Sequence, residues 1–180
     1  MHPWVKKIVY SEEEINKKII ELAKWVDETY KDSKDLVLIC LLKGAVPFLA
    51  ALSKRIHVDH VLDFMIISTY SGNHVSSGSV KIVMDLALDI KNKDVLIVED
   101  VIESGITLDK TKSLLLTRQP RSLKILTLLD KPHNRKVNLH ADKFGFEAPN
   151  EFLVGFGLDY DEKLRNLPYI GIFNKKFLKK

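Results

Sequence analysis

One segment near the middle of the chain constrains the fold more than any other. It begins with four consecutive apolar residues, 95–98, continues with the acids Glu99 and Asp100, and ends in a turn of small and hydroxyl residues at 104–107. A short run that is entirely apolar is typical of a parallel strand buried on both faces. The helical pattern that follows, at 108–117, predicts a strand–turn–helix unit of an α/β fold.

The polar residues of this segment indicate what such a unit could bind. In open α/β sheets, ligands bind beyond the carboxyl ends of the strands. A turn that opens a helix offers free backbone N–H groups and the positive end of a dipole, which suit a phosphate. The carboxylates of Glu99 and Asp100 can accept hydrogen bonds from sugar hydroxyls or hold a hydrated Mg²⁺. The segment therefore predicts a site for a phosphorylated sugar with a metal. The alternative is an ordinary strand–helix turn that carries acids by chance.

The rest of the chain alternates between strand-like and helix-like patterns. A helix is predicted to begin after Ser11, because Ser11 and Glu14 have the spacing of a capping box. Further elements are predicted at 36–42 (strand), 46–56 (helix), and 61–70, 80–86, 123–129, 152–157 and 170–173 (strands). Residues 130–151 are polar and interrupted by prolines. The alternation predicts one α/β domain whose mainly parallel sheet has helices on both faces.

Charge and composition narrow the possible partners. The net charge is +4, and four lysines at 175, 176, 179 and 180 account for that excess. The sequence has no stripe of interleaved basic and aromatic residues, which argues against nucleic acid as a partner. Excess positive charge also suits a small polyanionic substrate.

The apolar segments argue against a membrane protein. None approaches the ~20 residues of a membrane span, and the first residues lack the apolar core of a signal peptide. The single cysteine, Cys40, lies within the apolar run 36–42, which predicts a buried thiol and not a nucleophile. We therefore expect a cytoplasmic protein with no membrane partner.

Residues 99–107 read Glu-Asp-Val-Ile-Glu-Ser-Gly-Ile-Thr. After a hydrophobic strand, this order resembles the phosphoribosyl diphosphate (PRPP) signature of the type I phosphoribosyltransferases. The resemblance implies that Glu99 and Asp100 hold the ribose hydroxyls, directly or through Mg²⁺. It also implies that the turn binds the 5′-phosphate, through the residues Ser104, Gly105, Ile106 and Thr107.

Two further loops match the same family. Lys43 and Gly44 directly follow the strand at 36–42; the residues alone favour a simple turn, but the segment resembles the pyrophosphate-binding loop of purine phosphoribosyltransferases. In that family the peptide bond before the lysine is often cis. Thr69 and Tyr70 begin a long polar loop, which in the family closes over the substrates.

The later part of the chain resembles the purine-binding block of hypoxanthine–guanine phosphoribosyltransferases. Lys131, which follows a strand, would donate to the 6-oxo group of the purine. Phe152 would stack on the base, and the backbone of Leu153 and Asp159 would contact the edge of the ring. Asp159 could also hold a second Mg²⁺, and Arg165 could bind the diphosphate. Read without the resemblance, Lys131 is a solvated loop lysine and Phe152 is part of the core.

Glu103 departs from the family pattern. The family usually has aspartate at this position, near purine N7, where the acid helps to move a proton. Glutamate keeps the carboxylate but adds a methylene group and a rotatable bond, so the role of general acid or base carries over with altered geometry. We expect activity to survive this substitution.

Together these matches imply a type I phosphoribosyltransferase fold. The expected layout is a single domain, residues 1–180, with a core at about 34–135 and a purine-binding hood formed by the N-terminal segment and about 136–180. The implied reaction is Mg²⁺-dependent transfer of the phosphoribosyl group from PRPP to a 6-oxopurine, in a homodimer or homotetramer. The choice among hypoxanthine, guanine and xanthine stays open at this stage.

Two alternatives differ in class. The first is a regulator of the same fold that binds PRPP or a nucleotide and acts on nucleic acid. A regulator of this kind would have no role for the residues Lys131, Phe152, Asp159 and Arg165. The second is a Rossmann-like nucleotide-binding domain, but no G-x-G-x-x-G sequence follows the first predicted strand.

Overall fold

The computed structural model describes residues 1–69 and 80–178. The helices and strands are, in chain order, β1 (Val5–Tyr10), α1 (Glu12–Thr29), β2 (Leu36–Leu41), α2 (Val46–Ser53), β3 (His60–Thr69), β4 (Val80–Met84), β5 (Asp94–Ile102), α3 (Ile106–Leu116), β6 (Ser122–Asp130), β7 (Lys143–Glu147), β8 (Leu153–Val154) and β9 (Ile170–Phe173). Short 3-10 turns follow β6 and β9, at Pro132–Asn134 and Lys175–Phe177.

Six strands form the central sheet, in the order β4-β3-β2-β5-β6-β7. Neighbouring strands from β3 to β7 run parallel, and β4 is antiparallel at one edge. This arrangement confirms the predicted mainly parallel sheet. Because parallel strands end at the same edge, the segments that follow β2, β5 and β6 lie next to one another.

Helices cover both faces of this sheet, as predicted. On one face α1 and α2 pack on the strands, and this cluster includes Ile15, Leu22 and Phe48. On the other face α3 contributes Leu108 and Leu115 to a second cluster. The central strands β2 and β5 send alternate residues into the two clusters, which explains their unbroken apolar runs.

Helix α1 begins as its sequence predicts. The side chain of Ser11 accepts a hydrogen bond from the Glu14 backbone at 3.2 Å, and Glu14 Oε2 accepts one from the Ser11 backbone at 2.8 Å. Both bonds satisfy N–H groups that have no partner inside the helix. The predicted thiol also lies where expected, because Cys40 is fully buried and burial raises its pKa to about 12.

The two ends of the chain form a second, smaller sheet in the order β1-β9-β8. Val5 pairs with Phe173, and Leu153 pairs with Ile172, both in antiparallel ladders. Trp4, next to β1, contacts the ring of Phe173 edge-on. This sheet lies outside the central one, and Phe152 directly precedes its strand β8.

Several strands differ from the sequence-based expectation, among them β8, which spans only Leu153–Val154 and not the predicted 152–157. β5 continues to Ile102 and does not end at residue 98, because Val101 and Ile102 extend the parallel ladder to β6. β7 lies within the polar segment 130–151, where no strand was predicted; it is an edge strand with Phe144 exposed, so it shows little apolar alternation. β1 was also missed. In the described part of the chain, no helix is long and apolar enough to cross a membrane.

Candidate active site

The segments that follow β2, β5 and β6 meet at the carboxyl edge of the central sheet. Gly44, after β2, lies so close to Asp100 of β5 that a Cβ added to it would be 1.7 Å from Asp100 Oδ2. Lys131, after β6, donates its backbone N–H to the Ile102 carbonyl at 3.0 Å. The structure therefore brings the three predicted loops together at one edge.

Glu99 and Asp100 are partly buried acids at this edge. Among the described residues, Glu99 Oε2 is a buried oxygen without a hydrogen-bond partner. Burial, and secondarily the neighbouring charge of Asp100, raise the pKa of Glu99 well above its usual value. Burial also raises the pKa of Asp100 to about 6, opposed by the hydrogen bond from the Val101 backbone and the positive charge of Arg165. Both carboxylates would be stabilised in their charged form by a bound cation.

The donor set at this edge suits Mg²⁺. No cluster of three or more His, Cys, Asp or Glu with metal-binding geometry occurs in residues 1–69 and 80–178. Mg²⁺ does not require such a cluster, because it keeps several waters and is held by one or two carboxylates together with substrate phosphates. The unpartnered oxygen of Glu99 is the observation that fits this mode of binding.

The phosphate turn, residues 103–107, connects β5 to α3. Gly105 has a φ of 76°, in the left-handed region that favours glycine, and α3 begins at the next residue, Ile106. Ser104 Oγ accepts a long hydrogen bond of 3.4 Å from the Ile106 backbone. Glu99, Ser104, Gly105 and Thr107 line a cavity of about 280 Å³ beside the turn. α3 begins two residues earlier than predicted, at 106 and not at 108, so the turn is tighter.

Arg135 lies against the phosphate turn and was not singled out from the sequence. Its Nε donates to the Glu103 carbonyl at 3.0 Å, and its guanidinium also contacts the carboxylate of Asp130. A Cβ added to Gly105 would be 2.9 Å from Arg135 Cδ. No local pattern identifies this residue, because the segment that holds it is polar and its contacts come from other elements.

Lys131 and Glu103 contact each other. Lys131 is 5% exposed, and its Nζ donates to the carboxylate of Glu103 and, at 2.9 Å, to the Glu151 carbonyl. The lysine is therefore not a solvated loop residue. Its contacts join the segment after β6 to the phosphate turn and to the residue directly before Phe152.

Phe152 is the exposed aromatic residue at this end of the small sheet. Its side chain is 44% exposed, and its ring packs edge-on against Tyr160 and Phe173, with centroids 6.1 and 5.5 Å apart. Edge contacts of this kind restrain the ring while leaving surface for stacking. Leu153 is buried and pairs with Ile172 in β8 and β9.

A group of charged side chains, the diphosphate-end cluster, consists of Lys43, Asp159, Glu162 and Arg165. Lys43 Nζ is 3.0 Å from Glu162 Oε2, and Arg165 is 3.0 Å from Asp159 and 3.4 Å from Glu162. The peptide bond between Leu42 and Lys43 is cis. Glu162 was not predicted as part of the site; only its spacing from Arg165 could have indicated it.

The turn that precedes this cluster packs directly on the Lys43 loop. A Cβ added to Gly157 would lie 1.9 Å from the Gly44 carbonyl oxygen, so only glycine fits there. Arg165 donates to the Gly157 carbonyl at 2.7 Å. Of the two predicted lid residues, Thr69 ends β3 and pairs with Val80, whereas Tyr70 lies outside the described residues.

Comparison with known proteins gives a consistent result. The family model "Phosphoribosyl transferase domain" matches residues 7–161. The chain is 49% identical over 172 residues to "Hypoxanthine phosphoribosyltransferase" of Buchnera aphidicola subsp. Schizaphis graminum, covering 94% of this chain and 97% of the relative. It is 49% identical over 168 residues to "Hypoxanthine-guanine phosphoribosyltransferase" of Bacillus subtilis, covering 93% of each chain.

A solved structure is also similar in fold and in sequence. The crystal structure of a hypoxanthine phosphoribosyltransferase from Staphylococcus aureus superimposes with a TM-score of 0.95 at 43% sequence identity, and the match covers 100% of this chain and 97% of that one.

Proposed function

Because the chain belongs to the phosphoribosyl transferase domain family, we propose that it is a purine-salvage enzyme that acts on hypoxanthine, guanine or both. The bond from C1 of PRPP to purine N9 forms as the bond from C1 to the diphosphate oxygen breaks, and the products are IMP or GMP and diphosphate. The names of the similar proteins support this reaction. Nothing supports the alternative of a regulator acting on nucleic acid.

The observation that carries the proposal is the meeting of three chemistries at one edge of the sheet. A helix-opening turn with a left-handed glycine suits the 5′-phosphate. The partly buried acids Glu99 and Asp100 suit the ribose hydroxyls and a cation. Lys131, buried and in contact with Glu103 of the turn, suits the exocyclic 6-oxo oxygen of the base. A phosphorylated sugar that reacts with a 6-oxopurine needs all three.

We assign Mg²⁺ to the acids Glu99 and Asp100, and a second ion to Asp159. When bound, the ion neutralises the charge that develops on the leaving diphosphate and orients it. Lys43 with the backbone of Gly44, and the guanidinium of Arg165, bind the diphosphate itself. Glu99 and Asp100 also accept hydrogen bonds from the ribose hydroxyls.

Proton movement is assigned to Glu103. As N9 attacks C1, the purine ring must lose a proton, and the Glu103 carboxylate accepts it. The contact with Lys131 holds the carboxylate at the base-binding side of the turn. Lys131 also donates to the purine O6, which explains a preference for 6-oxopurines, because the 6-amino group of adenine cannot accept in the same way.

The small sheet β1-β9-β8 is proposed as the hood over the base, with residues 34–135 as the core of a single domain. Phe152 stacks on the purine, an arrangement worth ~1–3 kcal/mol per base in comparable contacts, and the backbone of Leu153 and Asp159 contacts its edge. A cytoplasmic homodimer or homotetramer completes the proposal.

A spectrophotometric assay tests the reaction. The protein is incubated with PRPP, Mg²⁺ and, in turn, hypoxanthine, guanine, xanthine or adenine. We expect turnover with hypoxanthine or guanine and none with adenine. Turnover with adenine would contradict the role of Lys131, and PRPP binding without turnover of any base would contradict the proposed activity.

A further inference from the structure

We propose that Arg135 is a positioning residue that holds the phosphate turn in its phosphate-binding shape and thereby sets the affinity for PRPP, but not for the base. The inference rests on the proposed function of the turn. Arg135 was not identified from the sequence, and it acts through the backbone of its neighbours without touching the substrate.

The guanidinium of Arg135 is almost fully engaged by protein groups. It donates to the carbonyls of Glu103, at 3.0 Å, and Ile102, at 3.4 Å, and also to the carbonyl of Leu139 and the carboxylate of Asp130. The side chain of Arg135 is 11% exposed and that of Asp130 is 15% exposed. An arginine has five N–H donors in a fixed fork, so little capacity remains for a direct bond to substrate.

These contacts determine where the backbone amides of the turn point. In a planar trans peptide the C=O and N–H groups point in opposite directions. Because Arg135 holds the carbonyls of Ile102 and Glu103, the N–H groups of Glu103 and Ser104 point away from it. The Lys136 backbone N–H donates a hydrogen bond to the Ser104 carbonyl oxygen at 2.9 Å. For the same reason, the N–H of Gly105 points away from that side of the turn.

The backbone N–H groups of residues 103–105 therefore all point away from Arg135. Successive N–H groups that converge in a turn form a concave anion site. The cavity of about 280 Å³ that residues 103–105 help to line lies beside them. The alkyl stem of Arg135 also fills the space under Gly105, where a Cβ would be 2.9 Å from Cδ. The arginine therefore stabilises both the direction of the amides and the left-handed turn.

The position of Arg135 is set from β6. Asp130 is the last residue of that strand, and its carboxylate pairs with the guanidinium. The 3-10 turn Pro132–Asn134 then brings the chain back so that residue 135 lies under the neighbouring turn. Asp130 and Lys131 are adjacent, so the end of one strand supports the phosphate turn through Arg135 and contacts Glu103 through Lys131.

The test compares Arg135→Gln and Arg135→Lys with the parent protein. The matched control is Arg118→Gln, which removes the same charge from an arginine paired with Asp85 beyond the other end of α3. The measurements are the melting temperature, the KM values for PRPP and hypoxanthine, and the Kd of ribose 5-phosphate by calorimetry. The last measurement requires no turnover.

For Arg135→Gln we expect the KM for PRPP and the Kd of ribose 5-phosphate to rise about tenfold or more, since misplacement by ~1 Å can cost on the order of a hundredfold. The KM for hypoxanthine should change less than about twofold. Arg135→Lys should recover part of the loss, and Arg118→Gln should match the parent.

Equal rises in both KM values, or none in a folded variant, would overturn the inference. If Arg135→Gln does not fold, the test uses Arg135→Lys and Asp130→Asn instead. Asp130→Asn weakens the ion pair that holds the guanidinium. For both variants the KM for PRPP should rise more than the KM for hypoxanthine. Absence of turnover in the parent protein would instead contradict the proposed function. Weaker binding of ribose 5-phosphate by the Arg135 variants would still support the inference in that case.

Discussion

The two anion-binding ends of the proposed site are built in different ways. The phosphate turn is held by backbone carbonyls bonded to Arg135, whose side chain and whose partner Asp130 are 11% and 15% exposed. The diphosphate-end cluster is held by ion pairs between side chains, and both members of its Lys43–Glu162 pair are 64% exposed. We call the first the rigid end, because its contacts are mostly buried, and the second the exchangeable end, because its Lys43–Glu162 pair is solvated. Arg165, at 25% exposure, is the least exposed member of the second.

The difference has a physical consequence for the reaction. Buried contacts to the backbone keep their geometry when a ligand arrives, so the 5′-phosphate would bind to amides that already point correctly. The cations of the diphosphate-end cluster are paired with the protein's own acids, and solvated pairs are worth only ~0–1 kcal/mol each. They can therefore exchange partners as diphosphate binds and leaves. We infer that the rigid end holds the sugar phosphate while the exchangeable end releases the product.

The largest effect is expected at Glu103, on the rigid side. Glu103→Gln removes the proton acceptor but keeps the size of the side chain and its contact distance to Lys131. Because a positioned acid or base contributes typically 10²–10⁴-fold, kcat should fall about a hundredfold or more, with the KM for PRPP little changed. Steady-state kinetics measures both. Unchanged kcat would show that the proton-transfer assignment is wrong.

Glu151→Gln is the matched control for that variant. Glu151 also lies next to Lys131, but only its backbone carbonyl makes the contact. The same change from acid to amide should therefore leave kcat near the parent value. A fall as large as that of Glu103→Gln would indicate a general charge effect.

The next largest effect is expected from breaking the phosphate turn. In Gly105→Ala the new Cβ would lie 2.9 Å from Arg135 Cδ at a φ of 76°. Strain of this kind costs about 1–3 kcal/mol, so kcat/KM for PRPP should fall roughly 30-fold. Ser113→Ala, on the exposed side of α3, is the control and should leave kcat/KM unchanged. A parent-like Gly105→Ala would show that the turn is not rigid.

A smaller effect of opposite sign is expected in the diphosphate-end cluster. Glu162→Gln removes the acid that pairs with Lys43 and Arg165, so both cations become available to diphosphate. The Kd of diphosphate, measured by calorimetry, should fall about two- to threefold, in line with the small free energy of exposed pairs. Asp85→Asn, which breaks an exposed pair elsewhere, should leave it unchanged. Weaker binding would contradict the exchange model.

The smallest effect on activity is expected at the opposite edge of the sheet. Asp94 accepts hydrogen bonds from Arg121, Ser122 and Ser33, and these, with Arg121 first, lower its pKa to about 2. Because the folded-state pKa is below the usual value, the stabilisation is present above about pH 4 and is lost as pH falls toward 2. Activity at neutral pH should not change when this stabilisation is removed.

Urea unfolding between pH 2 and 6 measures this effect. The free energy of unfolding should decline between about pH 4 and pH 2 in the parent protein, and less steeply in Asp94→Asn. Identical slopes would show that this ion pair does not contribute. Asp94 and Arg121 form a partly buried ion pair at the edge of the sheet away from the candidate site.

Features that depend on neighbours in the chain could be predicted from the sequence. The capping box of α1 needs only Ser11 and Glu14, and both bonds form. The buried run of β5 and the turn that opens α3 follow from the local order of residues 95–107. The family resemblance, which depends on the same local order, is confirmed by the comparisons.

Features that depend on residues distant in the chain could not be predicted from the sequence. β1 forms because Val5 pairs with Phe173, at the other end of the chain, and β7 forms because an edge of the sheet is available next to β6. Neither partner is visible in a local pattern. The same reason explains the contact between Lys131 and Glu103, and the inclusion of Glu162 in the diphosphate-end cluster.

Hydrophobic periodicity, turn chemistry and motif order are local properties, so the order of the residues predicted most elements of the central sheet, though not β7, and the residues proposed to bind phosphate, metal and base. Only the tertiary structure decided which of these residues meet and what supports them. Arg135 shows why: its four acceptors come from the ends of β5 and β6, the phosphate turn and Leu139. Such a contact exists only after parallel strands have placed their carboxyl ends side by side.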